Sequence, residues 1–446
     1  MMGLLQASEI LNGTMQGSDV QFSAVSTDTR SLQPGDLYVA LAGENFDGHN
    51  YLDQAEKAGA AAAVIQKSVQ TNLPRIKVKD TRKALGDLAA AWRQLFNGSV
   101  VAITGSNGKT TVKEMTAAIL SEQGEVLATK GNFNNDIGLP HTLLRMNKEN
   151  YAVIEMGANH SGEIAYLTNV TKPDVAVITN AGPAHLEGFG SIQGVAKAKG
   201  EIYQGLDKQG IAVINLDDEY ADYWLSLNDQ RKTLTFSMDD ASADVCGEWK
   251  PATNGGKLNV KFKDESLIID LQLHGVHNAM NALAAISLAE ALQIPRAKMI
   301  KALNEFKSVD GRLNFHQIND SLVVIDDTYN ANPASLKAGI DVLGELSGEH
   351  WLVLGDMGEL GDEGKNIHFD MGVHAKKAGV NTLLAVGDAS RYAVEAFGAE
   401  AMFFETKDDL VKFVKQHESE KVNILVKGSR FMRMEEVVDS LIRGTD

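Results

Sequence analysis

The stretch VVAITGSNGKTTVKEMTAAIL (100–120) decides how this chain folds. It opens with an apolar run, passes through a glycine-rich turn and continues with the spacing of a helix. A short apolar run of this kind is typical of a strand buried on both faces, as parallel strands are beneath covering helices. The stretch therefore predicts a β-strand that leads through a tight loop into an α-helix.

The loop itself has the composition of a phosphate-binding loop. Gly105 and Gly108 allow backbone N–H groups to approach phosphate oxygens, Lys109 adds a positive charge, and Thr110 offers a hydroxyl to Mg²⁺. The usual motif carries a glycine at the position of Ile103, so a chance glycine turn before a helix is the alternative. Strand, loop, Lys-Thr-Thr and helix together favour nucleotide binding.

Similar apolar runs recur along the chain and alternate with helical patterns at 84–96 and 278–292. This alternation predicts an α/β protein with parallel sheets. Residues 241–273 alternate like antiparallel strands and predict a hairpin appended to the middle domain. The further buried strands are expected at 151–156, 174–180, 210–215, 322–327, 350–356, 382–388 and 422–428.

A chain of 446 residues is long enough for about three domains. Residues 1–81 are rich in turn signals, and residues 82–312 contain the glycine-rich loop. A new strand–helix series begins after VDGRLNF, so we place the third domain at 313–446.

Composition restricts the partners. The chain has 42 Lys and Arg against 59 Asp and Glu, and a net charge of −17 opposes binding of nucleic acid or an anionic membrane. A single cysteine, Cys246, excludes an intrachain disulfide and a cysteine metal cluster. No apolar run has the roughly 20 residues of a membrane span, and the N-terminal residues lack a signal-peptide pattern. We therefore expect a cytoplasmic protein, without membrane insertion, that acts on small molecules.

Several polar residues follow predicted strands. A carboxylate such as Glu155 beside a phosphate loop can hold Mg²⁺, although it can equally cap a helix or face solvent. His185 is a candidate ligand, with a hydrogen-bonded structural histidine as the alternative. Lys197 and Lys199 are two residues apart on a predicted helix, so at most one of them points at a site. Surface lysine is the alternative for both.

Asparagine marks two more candidate segments. GNFNNDIGLP (131–140) has the composition of a loop that lines a polar substrate, or of a surface turn. Asn278 and Asn281 share one helical face and can read a base edge or cap the helix. Arg312 lies at the second domain boundary, where it can reach a γ-phosphate or form a surface ion pair.

Taken together, these segments resemble the Mur ligases, the ATP-dependent amide-forming enzymes of peptidoglycan synthesis. The resemblance runs through the whole chain, and its family-wide motifs are TGSNGKTT (104–111), GNFNNDIGLP and HNAMNALAA (277–285). Other motifs are particular to the branch that adds a D-alanyl-D-alanine dipeptide: AHLEGFGS (184–191), DDTYNANP (326–333), GDMGELG (355–361) and KGSR (427–430). Because the family also lacks the first glycine of the loop, Ile103 does not count against nucleotide binding.

The resemblance implies an N-terminal domain for the UDP end of the substrate, a central ATPase domain and a C-terminal Rossmann-like domain. It assigns uridine-side and other substrate contacts to Thr27, Asp28, Thr29, Arg30, Asn132, Asn135, Lys427, Ser429 and Arg430. It assigns ATP contacts to Gly105, Ser106, Asn107, Gly108, Lys109, Thr110, Thr111, Asn278, Arg312 and Asp327. Two Mg²⁺ ions are expected, the first on Thr110 and Glu155, the second on His185 and Lys199. Catalytic roles fall to Lys109, His185, Lys199 and Arg312.

Lys199 raises a chemical question within that assignment. An ammonium beside Mg²⁺ is repelled, so we expect its amine to carry a carbamate, which offers anionic oxygens. An unmodified lysine that contacts phosphate directly is the alternative.

The expected reaction joins D-Ala-D-Ala to UDP-MurNAc-tripeptide through an acyl phosphate, with ATP converted to ADP and phosphate, and we expect a monomer. A sister ligase that adds another amino acid is one alternative. A nucleotide switch is another, but NKEN (147–150) lacks the Asp of the base-reading NKxD motif.

Overall fold

The structure is a computed structural model that describes residues 2–43, 46–183, 186–417 and 421–443. Within these ranges the strands form four β-sheets, of two, five, nine and six strands. No helix in the same ranges is long and apolar enough to cross a membrane.

The N-terminal part contains the two smallest sheets. Its strands are β1 (Met2–Gly3), β2 (Thr14–Gln16), β3 (Gln21–Phe22), β4 (Val25–Ser26), β5 (Leu37–Val39), β6 (Ala62–Ile65) and β7 (Arg75–Lys77). Its helices are α1 (Leu4–Ile10) and α2 (Leu52–Lys57), with a 3₁₀ turn at Gly48–Tyr51. β1 pairs with β3, and the other strands lie in the order β2-β7-β6-β5-β4. The sequence patterns predicted turns here but not these short strands.

The central part is built on the nine-stranded sheet. Its strands are β8 (Ser99–Thr104), β9 (Val126–Ala128), β10 (Tyr151–Glu155), β11 (Val175–Ile178), β12 (Ile211–Asn215), β13 (Lys232–Ser237), β14 (Val245–Ala252), β15 (Gly255–Lys261) and β16 (Ser266–Leu271). They lie in the order β16-β15-β14-β13-β12-β11-β8-β10-β9. Across the sheet from β9 to β14, a span that includes β8, every pair of neighbouring strands is parallel. This confirms the parallel sheet predicted from the apolar runs.

Helices cover both faces of this sheet. They are α3 (Thr81–Arg93), α4 (Lys109–Ser121), α5 (Gly138–Leu143), α6 (Glu163–Thr171), α7 (Leu186–Phe189), α8 (Ile192–Gly200), α9 (Ala221–Ser226), α10 (Val276–Ala291) and α11 (Arg296–Asn304), with a 3₁₀ turn at Glu201–Gly205. Alternate residues of β8 enter two different hydrophobic cores, one on each face. This two-sided burial explains why the strand is an unbroken apolar run.

Two sequence predictions for the central part need correction. The helix predicted at 84–96 is α3, which begins earlier because the Asp80 carboxylate accepts hydrogen bonds from the N–H groups of Arg82 and Lys83. The segment 241–273 forms three strands, not a two-stranded hairpin. Nor is it a separate appendage, because β14 pairs with β13 and extends the main sheet.

The C-terminal part has a six-stranded sheet. Its strands are β17 (Asn314–Gln317), β18 (Leu322–Asp327), β19 (Glu349–Gly355), β20 (Thr382–Val386), β21 (Ala401–Phe404) and β22 (Val422–Lys427), in the order β17-β18-β22-β19-β20-β21. Its helices are α12 (Pro333–Gly344), α13 (Gly364–Lys377), α14 (Arg391–Phe397), α15 (Lys407–Gln416) and α16 (Glu435–Ile442), with 3₁₀ turns at Gly361–Glu363 and Arg430–Met432. β17 is antiparallel and the others are parallel. The boundaries at 81/82 and 312/313 stay predictions; the sheets end on either side of them.

Candidate active site

The glycine-rich loop between β8 and α4 requires glycine at two positions. Gly105 has φ +150° and Gly108 has φ +79°, values that L side chains rarely adopt. A Cβ at Gly105 would lie 1.9 Å from Thr179 Oγ1, and one at Gly108 would lie 2.2 Å from Asn281 Oδ1. The loop therefore packs directly on Thr179, just after β11, and on Asn281 of α10, which explains why a residue with a side chain does not fit at position 105 or 108.

Lys109 and Thr110 begin α4 immediately after this loop. The Lys109 ammonium donates a hydrogen bond to the carbonyl of Gly105 at 2.7 Å. Burial lowers the pKa of Lys109, and the negative charge of Glu155 opposes that effect. The helix N-terminus and the ammonium place positive potential at one spot, as binding of a phosphate requires.

A cavity of about 1410 Å³ lies between the central and C-terminal parts. It brings together many of the residues proposed from sequence: Ser106, Asn107, Gly108, Lys109, Thr110, Asn132, Asn135, Glu155, Arg312 and Arg430. Its volume exceeds that of an ordinary drug-sized pocket, so it has room for more than one small molecule.

Glu155 presents an unpartnered oxygen in this cavity. The side chain ends β10 and the residue is only 2% exposed. Its Oε1 accepts a hydrogen bond from Asn134 Nδ2 at 2.8 Å, whereas its buried Oε2 has no hydrogen-bond partner among the described residues. An orphaned carboxylate oxygen is costly unless a cation or donor joins it, so Glu155 fits a divalent metal.

A metal at Glu155 would need oxygen ligands of other kinds. In the part of the chain that the structure describes, no three His, Cys, Asp or Glu side chains are grouped as a metal site. Mg²⁺ commonly uses one or two carboxylates together with phosphate and water oxygens. Thr110 lines the same cavity, and its hydroxyl would be a further oxygen ligand.

Lys199 is buried on α8, and Lys197 on the same helix is exposed. Only Lys199 therefore faces the interior; whether it points at a site stays a prediction. The Lys199 ammonium lies 5.6 Å from the ring centroid of Phe189. Burial, reinforced by the charge of Lys109, lowers the pKa of Lys199 to about 7. His185, its predicted companion, lies outside the described residues.

Arg312 enters the cavity from the junction between the second and third parts. Its guanidinium carbon lies 4.2 Å from the ring centroid of Tyr329, a cation–π contact. Its Nε is buried and has no hydrogen-bond partner among the described residues. The Tyr329 N–H donates to the carbonyl of Gly311 at 3.2 Å, which joins the Tyr329 backbone to the segment that carries Arg312.

Asn332 makes a contact that the sequence analysis missed. Its Nδ2 donates to Asn107 Oδ1 at 2.7 Å, which joins the C-terminal part to the glycine-rich loop. The same side chain caps α12 by accepting from the N–H of Ser335 at 2.9 Å. A signal was present, because Asn before Pro333 is typical of a helix start. The pattern gave no indication of a partner 225 residues away.

Other predicted residues lie away from the cavity lining. Asn278 is buried and donates to the carbonyl of His274 at 2.9 Å, while Asn281 Nδ2 lies 3.4 Å from Asn278 Oδ1. The ammonium of Lys427 is buried against the carboxylate of Asp327. The residues proposed from sequence that do not line the cavity are Thr27, Asp28, Thr29, Arg30, Gly105, Thr111, Lys199, Asn278, Asp327, Lys427 and Ser429.

The segment from Thr27 to Arg30 forms a separate polar group in the N-terminal part. Thr27 Oγ1 lies 2.8 Å from Nε2 of His141, whose pKa is lowered by burial. Hydrogen bonds from Arg30 lower the pKa of Asp28 to about 2. Thr29 Oγ1 donates to Gln54 Oε1 at 3.1 Å. The guanidinium of Arg30 is exposed and forms an ion pair with the Asp28 carboxylate at 2.6 Å.

Three segments match described protein families in the order that the resemblance implies. Residues 21–93 match the "Mur ligase family, catalytic domain", residues 103–289 the "Mur ligase middle domain", and residues 311–430 the "Mur ligase, glutamate ligase domain". The chain belongs to the Mur ligase family.

Individual relatives match over nearly the full length of this Mur ligase. The "UDP-N-acetylmuramoyl-tripeptide--D-alanyl-D-alanine ligase" of Escherichia coli (strain K12) is 46% identical over 442 residues, 98% of each chain. A crystal structure of MurF from Acinetobacter baumannii superposes with a TM-score of 0.93 at 35% identity, covering 99% of this chain and 98% of that one. A MurF ligase from Thermotoga maritima in complex with ADP has a TM-score of 0.85 at 27% identity, covering 94% and 97%.

Proposed function

We propose that this Mur ligase uses ATP to join D-Ala-D-Ala to UDP-MurNAc-tripeptide, as a monomer in the cytoplasm. The observation that carries the proposal is that Lys109, Glu155 and Arg312 line one cavity between two parts of the chain. The full-length similarity to ligases named for this reaction supports the choice of substrates.

The reaction needs an activated carboxylate, because a free carboxylate has no usable leaving group. An oxygen of the tripeptide carboxylate attacks the γ-phosphorus of ATP, ADP leaves, and an acyl phosphate forms. The dipeptide amine then attacks the carbonyl carbon, loses a proton, and phosphate leaves. Most of the catalytic work in such transfers is positioning and neutralising negative charge.

Positive groups in the cavity suit that task. ATP, a UDP-sugar and a carboxylate must meet in a protein with a net charge of −17. The Lys109 ammonium and the Arg312 guanidinium, together with the N-terminus of α4, oppose this field where the phosphates would lie. The contacts proposed for ATP extend to Gly105 through Thr111, with Asn278 on the adenine side. The resemblance also assigns Asp327 to the ribose region, although its carboxylate is buried against the Lys427 ammonium.

Magnesium is the metal that Glu155 and Thr110 fit. We assign a first Mg²⁺ to Glu155 and Thr110, on the orphaned Glu155 oxygen, and a second to Lys199 and His185. When bound, Mg²⁺ would neutralise phosphate charge. Two hydrogen bonds position Glu155 for the first ion. Its Oε1 accepts from the Asn134 amide, and its backbone N–H donates to Thr129 Oγ1 at 3.0 Å.

Lys199 is proposed to act as a carbamate. Its neutral amine attacks CO₂, a C–N bond forms, one proton leaves the nitrogen, and the side chain becomes an anion with two oxygens. Burial of Lys199 at 1% exposure disfavours the ammonium, so the neutral amine is accessible near neutral pH.

The substrate ends are proposed as follows. Thr27, Asp28, Thr29 and Arg30 receive the uridine side, and Asn132 and Asn135 line the cavity towards the peptide. At the C-terminal side we assign Arg430, which lines the cavity, to the dipeptide. The resemblance also assigned Lys427 and Ser429 to this grip, but both side chains are buried and their polar atoms are bonded within the protein.

Omission of each reactant tests this function. Purified protein is incubated with ATP, Mg²⁺, UDP-MurNAc-tripeptide and D-Ala-D-Ala, each left out in turn, and phosphate release is measured. We expect release only in the complete mixture. Equal release with a single amino acid in place of the dipeptide would indicate a sister ligase, and release without either peptide substrate would indicate a nucleotide switch.

A further inference from the structure

Lys427 is a buried lysine whose surroundings differ from those of a substrate-binding residue. It ends β22 in the middle of the C-terminal sheet, in register with Asp327 at the end of β18. Its side chain is fully buried and is not part of the cavity lining. A buried charge of this kind requires partners that satisfy it within the protein.

Those partners all lie at the end of β18 and in the loop that follows it. The Lys427 ammonium pairs with the Asp327 carboxylate and donates to the carbonyl oxygens of Asn330 at 3.1 Å and Asp327 at 3.4 Å. An ammonium has three N–H donors, and these acceptors, all within the described residues, match that number. No N–H donor is then left for the carboxylate of a dipeptide.

The loop that Lys427 contacts follows β18 and extends from the C-terminal sheet to the cavity in which we propose that ATP binds. Residues 328–332 all line the cavity. From this loop Tyr329 stacks on Arg312 and Asn332 donates to Asn107 of the glycine-rich loop.

Ser429 supports the same loop from the next turn of the chain. Its hydroxyl donates to the carbonyl of Ala331 at 3.2 Å and accepts from the N–H of Gly358 at 2.8 Å. The KGSR motif therefore ties together two loops that both line the cavity.

We propose that Lys427 is a positioning residue, whose buried ammonium holds the segment 327–332 so that Tyr329 meets Arg312 and Asn332 meets the glycine-rich loop. This inference rests on the proposed ligase function and deepens it, because it moves Lys427 from the dipeptide grip to the support of the nucleotide side. Sheet register makes the arrangement rigid, since the ammonium and carboxylate extend from paired positions of adjacent parallel strands.

A double-mutant cycle tests the proposal. Lys427→Met, Asp327→Asn and the double variant are compared with the wild type, and Lys421→Met, at the exposed position just before the same strand, is the matched control. For each protein we would measure kcat, the KM for D-Ala-D-Ala, and the affinity for a non-hydrolysable ATP analogue by calorimetry.

A positioning role predicts a specific pattern. Lys427→Met should lower kcat at least ~10-fold and weaken the ATP analogue at least ~5-fold, while the KM for D-Ala-D-Ala stays within ~3-fold. The double variant should lose little beyond the worse single variant, because the pair acts as one unit. The proposal is overturned if Lys427→Met raises the dipeptide KM ~10-fold or more with nucleotide affinity unchanged, or if nothing changes.

Labelling of the wild-type protein keeps the test decisive if the variants do not fold. Lysines are acetylated briefly with acetic anhydride, with and without saturating D-Ala-D-Ala plus ADP, and labelled sites are measured by mass spectrometry. We expect Lys421 to react and Lys427 to stay unlabelled in both conditions. A Lys427 that reacts readily and is protected by the dipeptide would overturn the proposal. If wild-type protein releases no phosphate, the ligase function fails, whereas labelling and analogue affinity still decide the role of Lys427.

Discussion

At the residue scale, Lys109 carries the clearest expectation. Its ammonium is fixed at the start of α4, where charge builds during phosphoryl transfer. Lys109→Ala should lower kcat at least ~100-fold, which corresponds to about 2.7 kcal/mol of transition-state stabilisation. Steady-state phosphate release measures this, and the exposed Lys197→Ala is the control. Near-normal turnover in a folded Lys109→Ala protein would contradict the role.

The carbamate on Lys199 is testable by chemical rescue. Lys199→Ala should be nearly inactive, and a short carboxylic acid should restore part of the activity by replacing the lost oxygens. The substitution Lys197→Ala serves again as the control, because that side chain is exposed on the same helix. Absence of rescue, together with an unmodified Lys199 in a metal-loaded crystal grown with bicarbonate, would refute the carbamate.

The pKa of Lys199 adds a pH dependence. Carbamate formation consumes the neutral amine, and burial lowers the pKa of Lys199 to about 7. At a fixed, limiting concentration of dissolved CO₂, the carbamylated fraction should therefore rise as the pH increases through about 7. Activity at limiting and saturating CO₂ measures this across the pH range. A profile that is identical at both CO₂ levels would argue against the modification.

At the element scale, the Asn332 side chain at the N-terminus of α12 both caps the helix and contacts the glycine-rich loop. Asn332→Ala removes the helix cap and the bond to Asn107, and should destabilise the protein by about 1 kcal/mol. Asn332→Ser keeps a capping oxygen but is too short to reach Asn107. We expect Asn332→Ser to recover most of the stability in thermal unfolding and to leave the ATP-analogue affinity as weak as in Asn332→Ala. Equal analogue affinity in wild type and both variants would show that the contact is not used.

The elements also show what sequence could predict. Buried parallel strands such as β8 and β22 were found because burial on both faces leaves an unbroken apolar run. The start of α3 was placed three residues late, because Asp80 caps the helix ahead of its apolar pattern. The third strand in 241–273 was missed, since alternation shows that strands are antiparallel but not how many there are.

The candidate site likewise contains residues that the sequence could predict and residues that it could not. Gly105, Gly108 and Lys109 belong to a local motif, so their chemistry could be read from spacing alone. Asn134 beside Glu155 and Asn332 beside Asn107 were missed, because each contact joins segments that only the tertiary fold brings together. Lys427 was placed with the substrate, since a motif shows which residues stand together but not which way a side chain points.

At the scale of the whole molecule, the cavity lies between two parts of the chain. Arg312 and Asn332 lie on either side of the predicted 312/313 boundary, and both line the cavity. Binding of ATP analogue and tripeptide substrate should therefore draw the C-terminal part towards the central one. Small-angle scattering should show a smaller radius of gyration at saturation. An unchanged radius would count against closure.

The central claim is that this one cavity activates a carboxylate by phosphoryl transfer. The most direct measurement uses UDP-MurNAc-tripeptide whose terminal carboxylate carries ¹⁸O in both positions. Mass spectrometry of the phosphate released in the complete mixture should find one ¹⁸O per phosphate, because the acyl phosphate leaves with an oxygen of the former carboxylate. Phosphate that carries only solvent or ATP oxygen would show that ATP is hydrolysed by water, and would contradict the account.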